Sequence, residues 1–174
     1  MIIIVEGIDR VGKTTLANKL DTELGIDVLK MDRAGGNNSS TYDSAYKNFI
    51  RMMTLVEFWN WNGFDQDIVI DRFHWTEAVY SKVDRNNDKP LELMKVVENS
   101  MLLHRNKYVI VQVQPTDIER SSSEHGSDLS EHEALFDKLY EQSDLQKIRC
   151  KYGSIDKVVK KIDSYLAEEI ARCL

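Results

Sequence analysis

The sequence contains few residues of the kinds that build disulfide frameworks or structural metal sites. Of its 174 residues only two are cysteines, Cys150 and Cys173, and both lie late in the chain. Their spacing is not that of metal ligands, and the four histidines form no cluster with them along the sequence. We therefore interpret both cysteines as reduced thiols.

The sequence also lacks a long hydrophobic segment and an excess of basic charge. No run approaches the roughly 18 apolar residues of a membrane span, and the first residues resemble a strand rather than a basic leader. We therefore expect a cytoplasmic protein without a membrane partner. The 23 lysines and arginines are outnumbered by 29 aspartates and glutamates, and the net charge of −6 argues against a nucleic-acid partner but not against local phosphate pockets.

Strand-like and helix-like segments alternate along the whole chain. With 42% apolar residues, a chain of this length suits one globular domain spanning 1–174. The predicted strands are Ile2–Val5, Ile26–Met31, Asp67–Asp71, Tyr108–Val113 and Lys147–Lys151. The predicted helices are Thr15–Leu20, Tyr42–Trp61, Trp75–Val83, Leu91–Leu103, Ser130–Gln142 and the segment from Ser154 onwards. This order predicts an α/β fold, with a mostly parallel sheet of about five strands and helices on both faces.

A glycine-containing loop between the first strand and the first helix is the feature around which the chain is organised. It reads Gly7-Ile8-Asp9-Arg10-Val11-Gly12-Lys13-Thr14. A short β-branched strand cannot continue through two glycines, so the order strand, loop, helix is expected. In such a loop the backbone N–H groups converge on the β-phosphate of a nucleotide. Lys13 reaches the β- and γ-phosphates, and the hydroxyl of Thr14 can ligate Mg²⁺.

Three further polar residues follow predicted strands, at the carboxyl edge where open α/β sheets bind ligands. Arg33 lies where it could bind a substrate phosphate. The alternative is that Arg33 is a solvated arginine in a surface loop. Asp71 ends the third strand and can hold a metal-bound water, while Arg72 can meet a phosphate bidentately. For this pair the alternative is a structural ion pair.

Two other segments have a composition that suggests ligand contact. Phe58, Trp59 and Trp61 crowd the end of one helix and are too many for a narrow core stripe. At least one ring could therefore stack on a base, although core packing is the alternative for each. The serine-rich stretch of about 121–129 is polar and helix-poor, and predicts either a short mobile lid or an ordinary surface loop.

These motifs resemble the thymidylate kinase family of P-loop nucleoside-monophosphate kinases, over most of the chain. The family's acidic residue and glycine followed by Asp-x-x-Gly-Lys-Thr correspond to Glu6-Gly7-Ile8-Asp9-Arg10-Val11-Gly12-Lys13-Thr14-Thr15. Its Asp-Arg-aromatic motif, with a tyrosine eight residues after the arginine, corresponds to Asp71-Arg72-Phe73 and Tyr80. Its Arg-x-Pro-Gly-Gly loop is echoed by Arg33-Ala34-Gly35-Gly36, one residue shorter and without the proline. Its pyrimidine-stacking phenylalanine is best matched by Phe58, with Asn62 where an arginine is expected.

The resemblance implies ATP as phosphoryl donor, bound by 7–15, and Mg²⁺ as cofactor, held by Thr14 and Asp71. It implies catalytic roles for Lys13, through the phosphates, and for Asp71, through the metal ion. It also implies a catalytic role for Arg10, because one branch of the family carries its transition-state arginine in this loop and has a lid without one. A fixed arginine there is worth about 10³ to 10⁵ in rate. Arg120 resembles the arginine that packs on the adenine. The implied acceptor-binding residues are Asp9, Arg33, Phe58, Arg72 and Tyr80.

We therefore predict a deoxynucleoside-monophosphate kinase whose partners are ATP and a pyrimidine deoxynucleotide such as dTMP, with a homodimer as a candidate assembly. One alternative changes the acceptor to a deoxynucleoside or to a hydroxymethyl-pyrimidine nucleotide, free or within DNA. Another is a P-loop regulatory ATPase, in which the substrate-side arginines would lack a purpose.

Overall fold

The structure, a computed structural model, describes residues 1–31, 42–62, 66–104, 107–116 and 129–173. Its five strands form a parallel sheet in the spatial order β2-β3-β1-β4-β5. They are β1 (Ile2–Glu6), β2 (Asp27–Lys30), β3 (Ile68–Asp71), β4 (Tyr108–Gln114) and β5 (Gln146–Lys151). The predicted five-stranded parallel sheet is thus confirmed.

Six α-helices lie within the described residues and cover the sheet. They are α1 (Lys13–Leu24), α2 (Tyr42–Asn62), α3 (His74–Arg85), α4 (Lys89–Leu102), α5 (Ser130–Gln142) and α6 (Ile155–Cys173). Helix α1 packs with α6, whereas α3 packs with α2, α4 and α5. The helices therefore form two layers, one on each face. No helix in the described part of the chain is both long and apolar enough to span a membrane.

The centre of the sheet is buried on both faces. Ile3, Ile4 and Val5 of β1 have no exposed surface, and neither has the run 109–111 of β4. Such continuous β-branched runs are typical of parallel strands covered by helices on both sides. Because β1 lies between β3 and β4, the segment that follows β1 opens at the middle of the carboxyl edge. This is the crevice in which open α/β sheets bind ligands.

Candidate active site

The loop predicted to bind phosphate, residues 7–12 and called the phosphate loop below, joins β1 to α1. Two glycines determine its course. A Cβ atom at Gly7 would lie 2.3 Å from the carbonyl oxygen of Val113 in β4, so only glycine fits there. Gly12 has a φ of 88° and precedes the first residue of α1. Glycine adopts this left-handed conformation without steric cost. The loop is therefore held close to β4 and turns directly into α1, whose first N–H groups have no partner within the helix.

Lys13 is held inside this loop rather than extended into solvent. Its residue is only 4% exposed, and its ammonium donates a hydrogen bond to the carbonyl oxygen of Ile8. Burial and the nearby guanidinium of Arg72 lower the pKa of Lys13 to about 8, despite the opposite effect of the carboxylates around it. A buried cation whose charge is incompletely balanced is suited to receive an anionic phosphate.

Thr14 and Asp71 meet at the mouth of the loop and form a candidate magnesium site. The hydroxyl of Thr14 donates a hydrogen bond of 2.9 Å to Oδ2 of Asp71. The other carboxylate oxygen, Oδ1, is buried and has no hydrogen-bond partner among the described residues. Such an orphaned acceptor can be satisfied by a metal-bound water, so the residues present fit the ion.

Thr14 and Asp71 do not form a metal site made of protein ligands alone. The described parts of the chain contain no group of three or more His, Cys, Asp and Glu side chains able to hold a metal ion. Mg²⁺ does not need such a group, because it usually takes one or two carboxylates and completes its coordination with waters and substrate phosphates. Thr14 and Asp71 would therefore hold Mg²⁺ together with a bound nucleotide.

Asp9, Arg72 and Tyr80 come together on the side of the loop that faces α3. Nη2 of Arg72 lies 3.2 Å from Oδ1 of Asp9, and both side chains are about one third exposed. The backbone N–H of Asp9 donates a 2.9 Å hydrogen bond to the hydroxyl of Tyr80. Arg72 has a φ of 73°, and its N–H donates to the carbonyl oxygen of Val5. The guanidinium is thus oriented by a carboxylate yet remains accessible to a ligand.

Glu6, whose role the sequence did not reveal, anchors the start of α3 to the end of β1. It is fully buried and accepts hydrogen bonds from the backbone N–H groups of Phe73, Trp75 and Thr76 and from the Thr76 hydroxyl. Burial raises the pKa of Glu6, although His74 and the hydrogen bonds from Trp75 and Thr76 act in the opposite direction. The carboxylate therefore caps α3 and fixes the turn that carries Asp71 and Arg72. An acidic residue that ends an otherwise apolar strand was the available signal.

Comparison with known proteins gives matches at the level of structure. No protein-family model and no curated protein matches the sequence. YorR from Bacillus subtilis, in complex with phosphorylated GDP, is 22% identical over 98% of each chain, with a TM-score of 0.70. Deoxyadenosine kinase from M. mycoides with bound dATP is 14% identical, over 94% of this chain and 99% of that chain, with a TM-score of 0.59. With bound dCTP the same enzyme is 15% identical, over 94% and 100%, with a TM-score of 0.58.

The chain has the fold of the P-loop kinases. At these identities the likeness establishes the fold, so the chemistry has to be argued from the residues of the site.

Of the remaining predicted site residues, Arg10 is exposed in the phosphate loop and has a φ of 64°. The predicted residues Arg33 and Arg120, and the predicted lid except Leu129, lie outside the described residues. Their roles therefore stay predictions.

Phe58 lies in the last part of α2, near the start of β4. The neighbouring Asn60 accepts a 2.9 Å hydrogen bond from the hydroxyl of Tyr108, which begins β4 at the amino edge of the sheet. Gln112 of β4, which pairs with the last residue of β1, lies about 13 Å from Tyr108 along β4, at 3.3 Å per residue. Side chains two positions apart in a helix point about 200° from one another. Phe58 is 51% exposed and lies on a different side of α2 from Asn60.

The predicted role of Phe58 in stacking on a base therefore stays a prediction. Of the three rings in this part of α2, Trp59 is buried in the core, whereas Trp61 is 84% exposed. Core packing, the alternative to ligand contact, is therefore the observed role of Trp59.

Proposed function

We propose that this protein is an ATP-dependent nucleotide kinase that transfers the γ-phosphoryl group to a deoxynucleoside monophosphate, in the first instance a pyrimidine nucleotide such as dTMP. The observation that carries the proposal is the position of Arg72. This partly exposed guanidinium pairs with Asp9 and lies close enough to Lys13 to lower its pKa. A donor phosphate on Lys13 and an acceptor phosphate on Arg72 would therefore be neighbours.

In this proposal the phosphate loop binds ATP, and the side chains around it divide the remaining work. Lys13 meets the β- and γ-phosphates, and Arg72, oriented by Asp9, holds the acceptor phosphate with its two-pronged guanidinium. Thr14 and Asp71 would hold Mg²⁺ together with the nucleotide, and the bound ion would neutralise charge on the phosphate oxygens. An acceptor phosphate oxygen forms the new bond to the γ-phosphorus as the bond to ADP breaks. The positive charge of Arg10 stabilises the negative charge on the phosphoryl group during its transfer.

The carboxylates of the site favour a monophosphate over a nucleoside as acceptor. A phosphate oxygen is already anionic, whereas the 5′-hydroxyl of a nucleoside has to lose a proton to a positioned base. Glu6 accepts four hydrogen bonds at the start of α3, and Asp9 is paired with Arg72. Neither carboxylate is placed to take that proton while it keeps these bonds. Asp71, whose Oδ1 has no hydrogen-bond partner among the described residues, would be held by Mg²⁺.

A deoxynucleoside kinase is the second candidate, favoured by the structural likeness to a deoxyadenosine kinase. The preference for a pyrimidine base is supported by the sequence resemblance, in which Phe58 matches the family's base-stacking phenylalanine. A hydroxymethyl-pyrimidine nucleotide therefore remains within the acceptor class to be tested.

The experiment is an acceptor panel assayed with ATP and Mg²⁺, with products identified by chromatography and mass. The panel contains dTMP, dUMP, 5-hydroxymethyl-dUMP, dCMP, dAMP and dGMP, and the corresponding deoxynucleosides. We expect a nucleoside diphosphate from at least one pyrimidine monophosphate and no product from Lys13→Ala, the control for the phosphate loop. Transfer to deoxynucleosides alone would replace the first candidate by the second. ADP release at the same rate without any acceptor would indicate an ATPase and contradict both.

A further inference from the structure

A buried histidine on α5 contacts the active site through Tyr80. His132, near the start of α5, is 5% exposed, and its ring centroid lies 4.8 Å from that of Tyr80 with the two planes inclined by 49°. Its Nε2 lies 2.7 Å from Oδ1 of Asp84, one turn farther along α3 than Tyr80. A nitrogen at this distance from a carboxylate donates to it, so Asp84 fixes the orientation of the imidazole.

The contacts continue from Tyr80 into the phosphate loop. Tyr80 is 7% exposed, and its hydroxyl accepts a 2.9 Å hydrogen bond from the backbone N–H of Asp9. The carboxylate of Asp9 in turn pairs with Arg72. A tyrosine can present its hydroxyl at a fixed point only if its ring is held from the sides, and His132 supplies a flat surface for that purpose. Three contacts thus connect α5 to the guanidinium proposed to hold the acceptor.

We propose that His132 is a positioning residue of the active site, which holds the Tyr80 hydroxyl against the Asp9 amide and so keeps Asp9 and Arg72 in place. The part of this inference that concerns the acceptor rests on the proposed function. The part that concerns the Asp9 amide rests on the contacts alone. His132 itself does not touch the reacting groups, because Tyr80 and Asp9 lie between.

The first test measures hydrogen exchange of the Asp9 amide by NMR of the full chain. In His132→Ala we expect exchange at Asp9 to become about tenfold faster, since a hydrogen bond of ordinary strength loses its support. His132→Phe keeps a ring against Tyr80 and should exchange within about threefold of the wild type. Leu139→Ala, which removes a buried side chain from the same helix, is the control for general destabilisation and should leave Asp9 exchange unchanged. Unchanged exchange in His132→Ala, or equal acceleration in Leu139→Ala, would overturn the inference.

The second test measures steady-state kinetics with an acceptor found in the panel. We expect His132→Ala to raise the acceptor KM about tenfold, with the ATP KM within about threefold, and His132→Phe to restore most of the loss. If the wild type transfers no phosphoryl group, the proposed function fails while the exchange result still decides the role of His132. If transfer occurs and His132→Ala matches the wild type in both measurements, this inference fails alone.

Discussion

Replacement of Lys13 by methionine should abolish turnover and yet stabilise the nucleotide-free protein. Methionine keeps the length of the side chain but removes the charge. The lysine is buried with too little opposing charge, and its pKa falls from the ordinary 10.5 to about 8. At about 1.4 kcal/mol per pH unit, this shift corresponds to roughly 3 kcal/mol of unfavourable charge burial at neutral pH. Loss of the hydrogen bond to Ile8 costs about 1 kcal/mol, so the net gain should be about 2 kcal/mol.

The same shift predicts how the gain depends on pH. Between about pH 8 and 10.5 the unfolded chain keeps the lysine proton while the folded protein has released it. The free energy of unfolding of the wild type therefore rises with pH across this window, relative to the variant. The advantage of Lys13→Met should be complete below pH 8 and should shrink steadily towards pH 10.5.

The assay is urea unfolding of both proteins without nucleotide at pH 7, 8, 9 and 10. Lys160→Met, which changes an exposed lysine of α6, is the matched control and should stay within about 0.5 kcal/mol of the wild type at every pH. A variant that is less stable than the wild type at pH 7, or a difference that does not narrow as the pH rises, would refute the reasoning.

Three further predictions concern individual side chains of the site. Arg72→Ala should raise the acceptor KM by about 10² with the ATP KM within about threefold, because a bidentate contact to the acceptor is lost; the reverse pattern in the two KM values would reverse the assignment. Arg10→Lys should lower kcat and kcat/KM together by roughly 10², while the ATP affinity, measured separately, changes little. Near-wild-type turnover in both Arg10→Lys and Arg10→Ala would exclude a catalytic role for Arg10. Asp71→Asn should raise the Mg²⁺ concentration for half-maximal activity about tenfold, and an unchanged Mg²⁺ titration would exclude Asp71 from the metal site.

Much of the fold could be predicted because its signals are local. The apolar runs of the three central strands and the glycines of the phosphate loop identify these elements without knowledge of their neighbours. Most boundaries agree within two residues, but α1 continues to Leu24 rather than ending at Leu20. Element ends depend on the capping geometry, which an apolar pattern does not encode.

The parts of the site that could not be predicted depend on pairs of residues far apart in the sequence. The apolar spacing of α5 places His132 on the same face as Phe136 and Leu139, which was a usable sign of burial. Nothing in the spacing showed that Tyr80 and Asp84 of α3 would be its neighbours. The aromatic residues of α2 give a second example. The number of rings was visible in the sequence, but which ring is buried depends on how α2 packs against α3 and α4.

The backbone conformations of Arg10 and Arg72 have a consequence for laboratory evolution. Both residues have a left-handed φ, which costs an ordinary side chain about 1 kcal/mol and costs glycine almost nothing. A library selected only for thermal stability should therefore enrich glycine or asparagine at positions 10 and 72. A library selected for growth that depends on phosphoryl transfer should keep arginine at both positions. The two selections applied in parallel would thus identify, without any structure, the positions at which stability and catalysis favour different residues.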